Sequence, residues 1–374
     1  MTLFEKNRYV DIVCAKICKN LFAKYMSFAK TFWQRKSGTP ILTSLAHRRR
    51  TIRDVAKRAG VSISTVSNAL NDTGRVNEET RLRVKQIAAE IGFRPSSLAR
   101  GLLSKRTSTI GMLTNDTYGR LTLPMTAGVS EALVSQGVSV FLCATNNDPA
   151  LAKLHLEALL DKHVDGIIFT ATRLDVVPPV ELLNLSIPVV YAFAKGPAGS
   201  LSFLPDDVQG ARLAVDHLVG LSRRTIIHIT GPEDYLAARL RARSYRDSYG
   251  AGAEVLFGDW TEEWGHAAID MIFERDATPD AIFCGNDQIA RGVIDALRDR
   301  GVRVPQDVAV VGFDNWEVIA EQTRPALTTI DMELKELGRR AGLAILGLTK
   351  GEAIAPGERG IACRLVVRQS SGRN

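Results

Sequence analysis

The chain has 374 residues, 45% hydrophobic and 24% charged, a balance ordinary for a globular protein of two or three domains. No apolar run is long enough to span a membrane, and no signal-peptide core opens the sequence. Five cysteines (Cys14, Cys18, Cys143, Cys284 and Cys363) make neither an even disulfide framework nor a paired zinc motif, so a cytoplasmic protein without metal or cofactor is expected.

The net charge of +7 is unevenly spread. Residues 1–50 carry 11 Lys/Arg against 2 acidic groups, and residues 51–108 carry 11 against 5, leaving an acidic remainder. A basic front of this kind suits a polyanion. Residues 1–50 set apolar side chains at helical spacing with lysines between them. They are expected to be a basic N-terminal extension, disordered or a start-site artefact.

From Thr51 the pattern sharpens. Thr51 is placed to cap a helix, with Asp54 three residues on as in a capping box. Gly60 closes that helix where a left-handed residue is needed, and Val61-Ser62 completes the turn. Ser62 caps a second helix whose inward residues are Val66, Ala69 and Leu70. Its remaining face holds Ile63, Ser64, Ser67, Asn68 and Asn71, mostly small hydrogen-bonding side chains suited to base edges and phosphates in a major groove. A third helix follows.

Beyond Thr107, eight short runs rich in β-branched residues alternate with helical segments: TIGMLTND, VSVFLCATN, VDGIIFTAT, IPVVYAFA, RTIIHITGP, AEVLFGD, PDAIFCGND and DVAVVGFDN. Near-continuous apolar strands separated by helices predict parallel sheets covered on both faces, and eight strands predict two sheets, hence two subdomains. Asn115-Asp116, Asn146-Asn147, Asn286-Asp287 and Asp314-Asn315 collect at the carboxyl ends of these strands, the edge where open α/β sheets bind ligands. A cleft between two such edges suits a polyhydroxylated or nitrogenous small molecule. Each of these residues is equally able to serve as a helix cap or turn former. No phosphate-binding loop and no strand-linked G-x-G-x-x-G appears, and the histidines are scattered, which argues against an α/β enzyme. An exported solute-binding protein is the other alternative, and residues 51–104 argue against it.

IRDVAKRAGVSISTVSNALN resembles the helix-turn-helix signature of the LacI/GalR family of bacterial transcription regulators, and the likeness continues through RVNEETRLRVKQIAAEIGFRPSSLARGLLSKRTSTIG. The resemblance implies an N-terminal all-α helix-turn-helix headpiece (51–95), a hinge helix or linker (96–108) and an α/β two-subdomain periplasmic-binding-protein-like core (109–374) with an effector cleft between its parallel sheets. It implies a homodimer on a pseudo-palindromic double-stranded DNA operator, with no membrane partner. Ile63, Ser64 and Asn68 would choose bases, while Thr65, Ser67 and Asn71 would hold phosphates. Leu102 would wedge into a central base step, with Ala99 on the same flank and Arg100 and Lys105 on phosphates. Without the resemblance, Leu102-Leu103 reads as apolar spots of a linker or as dimer contacts.

On the effector side, ARLRARSYRDSY is similar to the segment that sends an arginine into the cleft, here Arg241, with Arg239 as its neighbour. FCGNDQIARGV places Asn286 at the cleft, and VVGFDN followed by RPALTTI places Asp314 there. Trp260 in FGDWTEEWGH falls where an aromatic wall for a sugar ring is expected, with Trp264 competing. Other positions depart from the family pattern. YAFAKGPAG has no acidic residue and offers Phe193 instead, and Ser244 replaces a glycine. NDTYGRLTLP is an unfamiliar first loop from which Tyr118 and Arg120 would enter the cleft. A sugar-like effector is implied, acting by induction or by corepression.

Overall fold

The computed structural model describes residues 50–93, 106–179, 182, 184–275 and 278–372. Ala99 and Leu102 therefore lie outside the described residues, as does nearly all of the N-terminal extension. Residues before and after position 95 form two separate units.

The first unit has three helices, α1 (Ile52–Ala59), α2 (Ile63–Leu70) and α3 (Glu78–Glu90). The Asp54 carboxylate accepts the Thr51 backbone N–H at 2.8 Å and its hydroxyl at 2.9 Å, which holds the first turn of α1. Gly60 ends α1 at φ 66°, a left-handed conformation that a Cβ would strain. The Ser62 hydroxyl accepts the Thr65 N–H, and Asn77 caps α3 in the same way. Val55, Val66 and Val84 are fully buried, joined by Ala56, Ala59, Ala69 and Ala88. The core is small, and the alanines let the helix backbones approach closely.

The second unit is built on two six-stranded sheets. The first sheet contains β1 (Thr109–Thr114), β2 (Ser139–Ala144), β3 (Gly166–Thr170), β4 (Val189–Ala192) and β5 (Leu201–Pro205). Helices α4 (Thr122–Val134) and α5 (Pro149–Asp161) cover it. The chain then crosses to α6 (Asp207–Gly220), β6 (Ile226–Thr230), α7 (Leu236–Tyr249), β7 (Glu254–Phe257) and α8 (Glu262–Phe273). The second lobe continues with β8 (Ala281–Cys284), α9 (Asp287–Asp299), β9 (Ala309–Asp314), α10 (Glu317–Ala320) and β10 (Thr328–Asp331). A second crossing leads to α11 (Leu334–Thr349) and β11 (Gly357–Ile361) in the first lobe, and a third returns to β12 (Arg364–Val366) in the second.

The strand orders are β2-β1-β3-β4-β5-β11 and β7-β6-β8-β9-β10-β12, all pairs parallel except β10 with β12. Every residue of β3, β8 and β9 is buried, which explains why their sequences read as unbroken apolar runs. Helix α11 lies against α4 with almost no side-chain layer between them. A Cβ on Gly128 would come within 1.9 Å of the Lys335 carbonyl oxygen, and one on Gly338 within 2.0 Å of the Met125 carbonyl oxygen.

The described residues hold twelve strands where the sequence predicted eight. The four not foreseen are β5, β10, β11 and β12, which are short, Thr- or Arg-containing, or closed by proline. Both sheets are completed by strands that follow a crossing, and such strands carry no local signal of the sheet they join.

Candidate functional site

The residues assigned to the outward face of α2 differ in exposure. Ile63 is 46% exposed, unusual for a large apolar residue that opens a helix, and Ser64 and Asn71 are exposed beside it. Thr65, Ser67 and Asn68 are half-buried. Ser62, Ser64 and Thr65 form a hydroxyl cluster with Oγ–Oγ separations of 2.7 and 2.8 Å, at a helix N-terminus whose N–H groups favour anions. Asn68 leans toward the turn after α2, its side-chain oxygen 3.5 Å from the Thr73 hydroxyl and its amide against Gly74. Its position thus serves the turn as well as the face.

In the second unit, a cavity of about 170 Å³ lies between the lobes at the carboxyl edges of both sheets. The first lobe contributes Asp116, Arg120, Thr172, Arg173, Asp175 and Phe193, and the second contributes Tyr235, Arg241, Trp260, Asn286 and Asp314.

Arg241, on α7, is 3% exposed. Its Nε donates to Asp207 Oδ1 at 2.7 Å, its Nη1 donates to the Gly285 carbonyl, and its guanidinium stacks 3.6 Å from the Phe313 ring centroid. Asn286 caps α9, its Oδ1 accepting the Ile289 N–H, while its Nδ2 lies 3.4 Å from the Trp260 carbonyl oxygen. Asp314 ends β9 with Oδ2 at 2.9 Å from Arg120 Nη1. Burial raises its carboxyl above the usual range, while Arg120 and Arg241 oppose the shift. Beneath it, Asp287 accepts the Thr329 hydroxyl and the Trp316 N–H, and burial together with the Asp314 charge pushes its pKa well up.

Arg241, Asn286, Asp314, Trp260 and Phe193 are thus brought to one cavity. Two other expected residues are not. Tyr118 is 94% exposed and points away. The Asp116 carboxylate gathers the N–H groups of Gly119, Leu121 and Thr122, which turns Arg120 inward and leaves Tyr118 outside. Arg239 sits two positions before Arg241, hence on the other side of α7, and donates at the rim to the Glu233 carbonyl. Of the competing tryptophans, Trp260 lines the cavity, whereas Trp264 donates its Nε1–H to the Thr230 carbonyl and packs over Gly258.

Residues 51–96 match the model of bacterial regulatory proteins of the lacI family, and residues 215–371 match that of the periplasmic binding protein-like domain. The ribose operon repressor of Escherichia coli (strain K12) is 34% identical over 300 residues, covering 78% of this chain and 90% of the relative. The chain belongs to the LacI family of bacterial regulatory proteins. Its fold matches that of the lac repressor dimer bound to operator and the anti-inducer ONPF, with TM-score 0.70 and 28% identity over 86% of this chain and 99% of that one. It also matches the transcriptional regulator CelR in its cellobiose complex, with TM-score 0.61 and 29% identity over 86% of this chain and all of that one. This LacI-family member is a DNA-binding regulator of transcription with a two-lobed, periplasmic-binding-protein-like core.

Arg173, Asp175 and Tyr235 are cavity residues that sequence reasoning passed over. Arg173 stacks 3.8 Å from the Tyr235 ring centroid and donates to Asp234 at 3.0 Å, joining one lobe to the other. Both positions follow the carboxyl ends of strands (FTATR after β3, ITGPEDY after β6), and the same edge rule extended beyond Asn and Asp would have reached them. Among the described residues no group of three or more His, Cys, Asp or Glu is placed to hold a metal ion, and no helix is long and apolar enough to cross a membrane.

Proposed function

We propose that this LacI-family chain is a homodimeric repressor whose affinity for a pseudo-palindromic operator is set by a sugar-like effector held between the lobes. The observation that carries this reading is the meeting of Arg241, Asn286, Asp314 and Trp260 at one cavity between two lobes that three chain crossings connect. An indole face stacks on the apolar face of a sugar ring, while guanidinium, amide and carboxylate groups take its hydroxyls. Tightening the lobes on a ligand changes the separation of whatever precedes residue 109 in each copy. The coupling is then the effector's differential affinity for two lobe arrangements.

On this reading residues 51–95 are the headpiece, 96–108 the hinge and 109–374 the core. Ile63, Ser64 and Asn68 read bases, Thr65, Ser67 and Asn71 hold phosphates, and Leu102 with Ala99 opens a base step. Edge strand β2, which leaves Phe141 and Leu142 exposed, supports pairing of two copies, since an open apolar edge invites covering. The test is calorimetric titration of the full chain with neutral monosaccharides, followed by the same titration of Leu102→Ala. Micromolar binding is expected in both, with operator affinity lost in the variant alone. Absence of sugar binding, or joint loss of sugar and operator binding in Leu102→Ala, would contradict the reading.

A further inference from the structure

We propose that the cavity accepts an uncharged sugar and rejects its carboxylated and phosphorylated counterparts, an inference that rests on the effector reading above and narrows it. The cavity presents three guanidinium groups, and each already faces carboxylate. Arg241 Nε meets Asp207 at 2.7 Å, with both side chains almost fully buried. Arg173 lies between Asp175 at 3.2 Å and Asp234 at 3.0 Å. Arg120 reaches Asp314 at 2.9 Å. An incoming anion therefore finds no cation in the cavity that lacks a carboxylate partner among the described residues.

It also meets an excess of acidic groups. Asp287 stands directly behind Asp314, fully buried and held by a hydroxyl and an N–H rather than a cation. The Asp116 carboxylate is occupied by backbone N–H groups. Burial raises the carboxyl pKa of Asp207, Asp287 and Asp314 alike, so the site already resists the negative charge it has. Bringing a further anion beside them costs like-charge repulsion in a dry setting.

The buried acceptors point the same way. Asp314 Oδ2 is buried at the cavity wall and is met by Arg120 at 2.9 Å without an aligned hydrogen bond, and Asp207 Oδ2 is buried behind the lining with no donor among the described residues. Buried acceptors call for donors. A sugar hydroxyl supplies one, whereas a carboxylate or phosphate supplies only further acceptors and charge.

The experiment is calorimetric titration of the full chain with matched sets: D-glucose, D-glucuronate and D-glucose 6-phosphate; D-galactose and D-galacturonate; D-ribose and D-ribose 5-phosphate. In any set that binds, the neutral sugar is expected to bind at least roughly tenfold tighter than its anionic partners. An anionic member binding as tightly as its neutral partner would overturn the inference while leaving the sugar site standing. Silence from every set would overturn the effector reading and this inference with it. Asp314→Asn frees Arg120 of its carboxylate, and Asp175→Asn, at the half-buried rim, leaves Arg173 with Asp234 as its remaining carboxylate. Each should raise the ratio of anionic to neutral affinity several-fold, and an unchanged ratio in both variants would count against the charge argument.

Discussion

At the scale of single residues, Arg241 shows how a resemblance in sequence acquires a physical cost. Its place at the cavity follows from ARLRARSYRDSY, but its pairing with fully buried Asp207 does not, because Asp207 lies 34 positions away at the head of α6. Arg241→Ala removes one partner of a buried pair and should therefore destabilise the core by about 3–5 kcal/mol while abolishing the effector response. Chemical denaturation and an operator-binding assay on the same variant check both parts. Arg239 and Tyr118 show the limit of motif reasoning. The motif names a segment, while the phase of α7 and the three N–H groups drawn to Asp116 decide which of its side chains turn inward.

His228 supplies a second test at this scale. It is fully buried on β6, stacked 4.3 Å from the Phe283 ring, with Nδ1 donating to the Phe283 carbonyl. Burial lowers its pKa from the usual 6.5 to about 3, with nearby Arg241 and Arg246 adding to the shift. Between these values the unfolded chain binds a proton that the folded chain refuses, so this contribution to stability is complete above pH 6.5 and is lost as pH falls. At pH 5 the loss is about 2 kcal/mol. The buried aspartates work in the opposite sense, because their raised folded pKa values favour the folded state on acidification. The contribution of His228 is therefore read as a difference. Going from pH 7.5 to 5, wild type should lose about 2 kcal/mol more than His228→Gln, and parallel losses would refute the assignment.

At the scale of elements, local chemistry was legible and remote chemistry was not. The helix boundaries around Thr51, Gly60 and Ser62 rest on hydrogen bonds three residues long, and the sequence displays them openly. Ser62→Ala should cost about 1 kcal/mol of headpiece stability, read by the helical signal on melting. Strands β11 and β12 join β5 and β10 only after a crossing, and β11 is mostly exposed at the sheet edge, so no apolar run announces it. The α4–α11 contact was equally hidden, since a glycine in a helix reads as a weakness until its neighbour is known. Gly338→Val forces a side chain into the Met125 backbone and should destabilise the core by about 3 kcal/mol in urea denaturation, whereas Gly220→Ala, which meets nothing within 4 Å, should be close to neutral.

At the scale of the whole molecule, the charge division seen in the sequence fits an account in which one unit meets DNA and the other holds a neutral ligand. Operator affinity should fall steeply and linearly in log salt, since phosphate contacts release counterions. The binding of a neutral sugar should barely respond to the same change. The site itself was half legible. Most of the residues that line the cavity fell on recognisable segments, and Arg120 was named on its loop, but Arg173, which ties one lobe to the other across the cavity, was not. Its partner in the other lobe comes from a distant part of the chain.

The central claim is that occupation of this cavity alters operator affinity. Its most direct test is fluorescence anisotropy of the full chain on a labelled duplex selected from a random pool, with and without the best-binding neutral sugar, in wild type and Arg241→Ala. The account predicts a change in operator Kd of roughly tenfold or more for wild type and none for the variant. An operator Kd unmoved by a sugar that calorimetry shows to be bound, or an equal response from Arg241→Ala, would contradict it.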